Sequence, residues 1–141
     1  MNQVTKIFHV ISYLQYPIML AATYFIIAPL IYGFDSIWIS YNTALTLAGI
    51  GIGFSTLQDT TKTQNEISRK VWEDPRKGKQ FIAVTSVATL LFMTTGLAGL
   101  FVLDQSFIQE LSYGLIIFAL GMLGLLKAML EMFENHRLDK N

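Results

Sequence analysis

The charges of this chain are confined to a few short stretches, and the gaps between them are long. No Asp, Glu, Lys or Arg occurs in the 28 residues between Lys6 and Asp35, the 23 between Asp35 and Asp59, or the 24 between Lys79 and Asp104. A fourth gap of 16 residues separates Glu110 from Lys127. A helix needs about 20 apolar residues to cross a hydrocarbon core of about 30 Å. Three gaps meet that length outright, and the fourth meets it with Lys127 at a membrane edge. A water-soluble helix would need a polar face, which these runs lack. The chain is therefore expected to be an all-α integral membrane protein, one domain over residues 1–141. Its four transmembrane helices fall near residues 7–33, 37–58, 80–103 and 107–133. The first run is long and holds Pro17 and Pro29, so it reads as a retained span and not as a cleaved signal peptide.

Composition sets further bounds. Only 14% of residues are charged, against about a quarter in a soluble domain. The formal net charge is zero, so bulk electrostatics points to no nucleic-acid partner. With no cysteine in the chain, disulfides, thiolate catalysis and cysteine-ligated metals are excluded.

The placement of Lys and Arg predicts an orientation. All ten lie at Lys6, in the 59–79 connection, or at Lys127, Arg137 and Lys140. The connections around Asp35 and from Asp104 to Glu110 have none. By the positive-inside rule both termini and the 59–79 loop are cytoplasmic, in a bacterial inner membrane. The short outer turns "GFDS" and "LDQS" then close two tight hairpins. Tyr32, Trp38, Tyr41 and Tyr113 sit beside them, as interfacial aromatics do.

Within the loop, Glu66 and Lys70 are spaced i, i+4, while Ile67, Val71 and Trp72 share a side. The second helix is thus expected to run on into the cytoplasm. Asp74-Pro75 reads as an N-cap followed by proline at the first helical position. Arg76, Lys77 and Lys79 would then sit at headgroup level, as a topology signal or in contact with anionic membrane lipids.

A faint internal echo is present. Asp35 to Tyr41 (DSIWISY) resembles Asp104 to Tyr113 (DQSFIQELSY), and a glycine follows each tyrosine by eight residues, at Gly49 and Gly121. Two hairpins of like orientation would form a parallel repeat about an axis along the membrane normal.

The stretch "AGIGIGFSTLQDTTK" (residues 48–62) raises the question of a phosphate-binding loop. A dinucleotide fingerprint needs G-x-G-x-x-G after a strand. Here Gly49, Gly51 and Gly53 are followed by Phe54, Ser55 and Thr56, so the third spacing fails. On a helix the same residues make stripes: Asn42, Thr46, Gly49, Gly53, Thr56 and Thr60 on one, Ala44, Ala48, Gly51 and Ser55 on another. In lipid, small residues mark helix contacts. Gly114, Gly121, Gly124 and Ala128 form a stripe on the fourth helix, and Ala88, Thr95 and Gly99 on the third. A compact left-handed bundle follows. Two stripes on the second helix exceed the need of one bundle, which points to a homo-oligomer or another membrane protein as partner.

Residues of chemical interest are sparse. His9, Tyr13, Tyr16 and Tyr24 share a face of the first helix, and with Asn42 and Thr46 the tyrosines Tyr13 and Tyr24 are candidates for lining a polar cavity. A membrane haem wants two opposed ligands, and the second histidine, His136, lies in the tail, so no cofactor or metal is expected. Lys127 and Glu131, four residues apart, are candidates for an ion pair at the inner end, the other reading being a lysine that snorkels to the headgroups. Neither these nor Glu134 form a catalytic set.

The functional expectation is accordingly a small polytopic membrane protein without catalysis. It would act as an assembly or accessory subunit, or as a homo-oligomer, through its glycine-lined faces. The alternative is an oligomeric pore or uncoupled facilitator lined by Asn42, the threonines and Tyr24.

Overall fold

The computed structural model describes residues 3–62, 65–104 and 106–140, and contains no strand among them. The helices are α1 (Gln3–Ser12), α2 (Gln15–Tyr32), α3 (Ile37–Ser55), α4 (Glu66–Glu73), α5 (Pro75–Phe101) and α6 (Ser106–His136), followed by a 3-10 turn at Leu138–Lys140. Among the described residues, four stretches are long and apolar enough to cross a membrane: Gln3–Tyr32, Ile37–Ser55, Pro75–Phe101 and Ser106–His136.

The boundaries differ from the sequence expectation in two places. The first run is interrupted at Tyr13 and Leu14, one turn before Pro17. Proline has no N–H to offer the Tyr13 carbonyl. That carbonyl instead accepts the Tyr16 N–H at 3.1 Å, a tighter 3-10-type bond. The second helix does not run on into the loop. It stops at Ser55, where the Ser55 and Thr56 hydroxyls donate to the Ile52 and Gly53 carbonyls at 2.6 and 2.7 Å. A separate α4 then starts at the Asn65 cap, whose side chain accepts the Ser68 N–H at 2.8 Å. On α4 Trp72 is buried and Ile67 is exposed, and the i, i+4 ion pair that forms is Arg69–Glu73 at 3.6 Å.

Asp74 caps α5 by accepting the N–H groups of Arg76 and Lys77 at 2.9 and 3.3 Å, with Pro75 in the first helical position. These bonds, the one from Lys77 foremost, hold the Asp74 carboxyl below its ordinary pKa. They favour the charged form, which accepts them best.

The long helices stand in the order α2–α3–α6–α5. α3 packs between α2 and α6, and α6 between α3 and α5, while α2 and α5 share no extended contact. The bundle is therefore open along one side, a row of helices, where the small stripes suggested a compact bundle. Along the central seam Trp38 meets Phe107 at 5.0 Å between ring centroids, Asn42 meets Gly114, and Gly49 meets Gly121. Residue numbers rise together, so α3 and α6 run parallel. Along α5–α6 they run opposite, from Gly78 against Phe133 to Phe92 against Phe118 and Gly99 against Ser112. Such a row is what a two-fold relation of the α2–α3 half to the α5–α6 half generates.

α6, with 31 residues, is about 46 Å long at 1.5 Å per residue. It overhangs α3, and α4 lies across that overhang, carrying the chain over α6 to α5. There Trp72, Met129 and Phe133 form a buried cluster. Both described ends of the chain lie at this loop end, Asn135 Nδ2 reaching the Thr60 carbonyl at 3.4 Å.

Candidate functional site

The α3–α6 seam is built from absent side chains. A methyl placed on Gly49 would lie 2.5 Å from the Ile117 carbonyl oxygen and 2.7 Å from Phe118 Cα; one on Gly121 would overlap the Gly49 carbonyl. A methyl on Gly114 would come within 2.6 Å of the Asn42 carbonyl oxygen. Backbone faces backbone at all three, and backbone cannot swing aside. At the same level the Asn42 side chain accepts the Gly114 N–H through Oδ1 at 2.7 Å. Close approach and an interhelical hydrogen bond thus reinforce each other.

The remaining glycines divide. Gly51 faces Met19 of α2, whose Sδ would be 2.9 Å from an added methyl, and Gly124 faces the Thr56 side chain at 3.3 Å. Gly53 faces nothing within 4 Å inside the chain, so of the expected Gly49–Gly53 pair only Gly49 takes part in the α3–α6 seam. On α5 the buried stripe is Gly78, Thr85, Thr89, Gly96 and Gly99, while Thr95 is exposed. Gly96 meets Ile116, and Gly99 meets Ser112 and Ile108.

The residues expected to line a polar cavity do not converge. Tyr13 and Tyr24 are half exposed; the Tyr13 hydroxyl lies 3.2 Å from His9 Nε2, and Tyr24 packs edge-on to Phe25. Asn42 is committed to Gly114, and the Thr46 hydroxyl donates to the Asn42 carbonyl at 2.9 Å. Thr23, Thr43, Thr56, Thr85, Thr89 and Thr94 likewise bond to carbonyls three or four residues back on their own helices. Hydroxyls so engaged donate their protons to their own helices.

Lys127 Nζ lies 3.0 Å from Glu131 Oε1, on an exposed face of α6. Arg76, Lys77 and Lys79 are exposed on the first turns of α5, with Lys77 Nζ 3.4 Å from Asp74 Oδ2.

Sequence reasoning missed a cavity of about 360 Å³ at the loop end, roofed by α4. Gln15, Ser55, Gln58, Thr60 and Ser68 contribute its polar lining, and Trp72, Phe81, Leu125 and Met129 belong to its apolar part. Trp72 Nε1 donates to Ser68 Oγ at 3.0 Å, which fixes the indole as one wall. The sequence signal was a tryptophan beside Ile67 and Val71 in a mostly polar loop. A second groove of about 440 Å³, lined by Ile26, Tyr41, Ala44, Leu45, Leu111 and Phe118 among others, opens along α3.

The chain matches no family model, no curated protein and no solved structure.

Proposed function

We propose that the chain is a non-catalytic subunit of the bacterial inner membrane. It is inserted as two hairpins with both termini and the 59–79 connection cytoplasmic, and it works by association with a membrane partner or a second copy. The observation that carries this reading is the open row. Its inner helices α3 and α6 are held together by glycine contacts, and its end helices α2 and α5 keep broad apolar flanks, with Leu20, Leu30, Val84 and Leu90 at 74, 68, 67 and 64% exposure. Such surface is tolerated only in lipid or against another protein. Exposed Arg69, Lys70, Arg76, Lys77 and Lys79 at the loop end support the orientation. Because most of the small-residue faces are consumed within the chain, association falls to the outward flanks and not to the glycines.

The test is extraction in a mild detergent, with mass measurement of the purified particle and chemical crosslinking from cysteines introduced at Leu20 and Leu90. A complex crosslinked through those positions is expected. A lone monomer with no copurifying protein overturns the reading.

A further inference from the structure

We infer that the loop-end cavity binds an uncharged amphiphile, a lipid-soluble molecule with a hydrogen-bonding head and an apolar tail. The inference rests on the membrane placement proposed above.

The lining decides the chemistry. None of the side chains around the cavity is charged, although α4 and the start of α5 are rich in exposed Lys and Arg. An ionised head placed among them would be stripped of water with no counter-charge, a strongly unfavourable transfer. The polar groups are instead two carboxamides, Gln15 and Gln58, and three hydroxyls, Ser55, Thr60 and Ser68. Gln15 stands at the α1–α2 break, and its amide makes no hydrogen bond to the described residues. Carboxamides and hydroxyls both donate and accept, and so suit neutral hydroxyl or carbonyl oxygens.

The lining also combines polar and apolar walls. Met132 and Leu125 both border the cavity, seven residues and about 10 Å apart on α6. At the Met132 level stand Ser68 and Trp72 of α4, and Ser68 Oγ is 4.0 Å from Met132 Sδ. Phe81, Leu125 and Met129 supply apolar wall, with the Phe81 ring 5.8 Å from the Trp72 indole. A molecule with a hydrogen-bonding head and an apolar tail matches that mixed lining. The methionines can refold around differing tails. The volume of about 360 Å³ is within the usual range for a small-molecule site, about 300–1,000 Å³. A monoacylglycerol and a quinone share this head chemistry, and the experiment separates them.

Trp72 is a built-in reporter, since the chain has only one other tryptophan, Trp38. The full chain carrying Trp38→Phe is placed in phosphatidylcholine nanodiscs, and Trp72 fluorescence is followed while a dibrominated monoacylglycerol or decyl-ubiquinone is added. Saturable quenching by one or both is expected, and the one that saturates names the head. Dibrominated phosphatidylglycerol should quench only in proportion to its mole fraction. Gln15→Leu should raise the half-quenching concentration at least threefold, and Ala128→Phe, which fills the cavity, at least tenfold. If Ala128→Phe fails to fold, Gln15→Leu alone decides. Linear quenching by every probe, equal saturation by the anionic lipid, or no shift with Gln15→Leu overturns the inference. Membrane placement is checked separately with Trp72→Phe. Failure of Trp38 to be quenched by a brominated bilayer would reject that placement, whatever Trp72 reports.

Discussion

Gly49 and Gly121 meet backbone to backbone at the centre of the α3–α6 seam, so closely that a methyl on Gly121 would overlap the Gly49 carbonyl oxygen. Gly121→Ala must push the two inner helices apart. Overpacking of this kind costs about 1–3 kcal/mol. Gly53→Ala meets open space and should be neutral or stabilising by up to about 1 kcal/mol. Denaturation in mixed detergent micelles, followed by circular dichroism, ranks the two. Equal effects would show that the seam is not held by close approach.

Asn42 holds the same seam through a side chain. Asn42→Leu removes the acceptor facing the Gly114 N–H and should destabilise by about 1 kcal/mol, within the range for interhelical hydrogen bonds in membranes. The same denaturation assay reads it. No solute flux from proteoliposomes should depend on Asn42, because its amide oxygen is already engaged.

Trp72 pins α4 to the α6 overhang beside Met129 and Phe133. Trp72→Ala should release α4 and leave the long helices intact. Limited proteolysis should then cut the 59–74 segment at least tenfold faster, with unchanged helicity. A cleavage rate equal to the parent's would show that α4 is held by other contacts.

Asp74 gives a pH dependence. Its carboxyl is held below the ordinary value by the Arg76 and Lys77 N–H groups. Its contribution to the α5 cap is therefore complete above the unfolded pKa and lost as pH falls through the depressed folded one. Amide exchange at Arg76 and Lys77 should be faster in Asp74→Asn than in the parent at neutral pH. The two should converge in acid below the ordinary carboxylate range. A difference that persists there would assign the cap to geometry and not to charge.

The four long apolar runs and the α5 cap were legible in the sequence, because length without charge and an Asp-Pro pair are local signals. The α1–α2 break and a separate α4 were not. The seam was legible only in part. Gly49 and Gly53, four residues apart, lie about 40° apart around a helix of 3.6 residues per turn. The seam instead follows Asn42, Gly49 and Thr56 on α3, with Gly114 and Gly121 on α6. That seven-residue spacing keeps parallel helices in contact along a left-handed pair. Which of two small-residue registers wins depends on the facing helix, which no single run of sequence contains. The same holds for the third helix, where Ala88, Thr95 and Gly99 are as regularly spaced as the buried Thr85, Thr89 and Gly96. The cavity was least visible of all. Its walls come from five helices and the α3–α4 connection, and each residue alone reads as ordinary loop or core.

The crossover of α4 above α6 has a topological consequence. Each half of the row presents its seam to the other, and only the short span between α3 and α5 assigns the two halves to one molecule. Were that span to straighten, the carboxy-terminal pair of one molecule would find the same seat on the amino-terminal pair of its neighbour. The reciprocal exchange would intertwine two polypeptides with every seam preserved. The length of that strap thus bears on whether the two halves close on each other or on a twin.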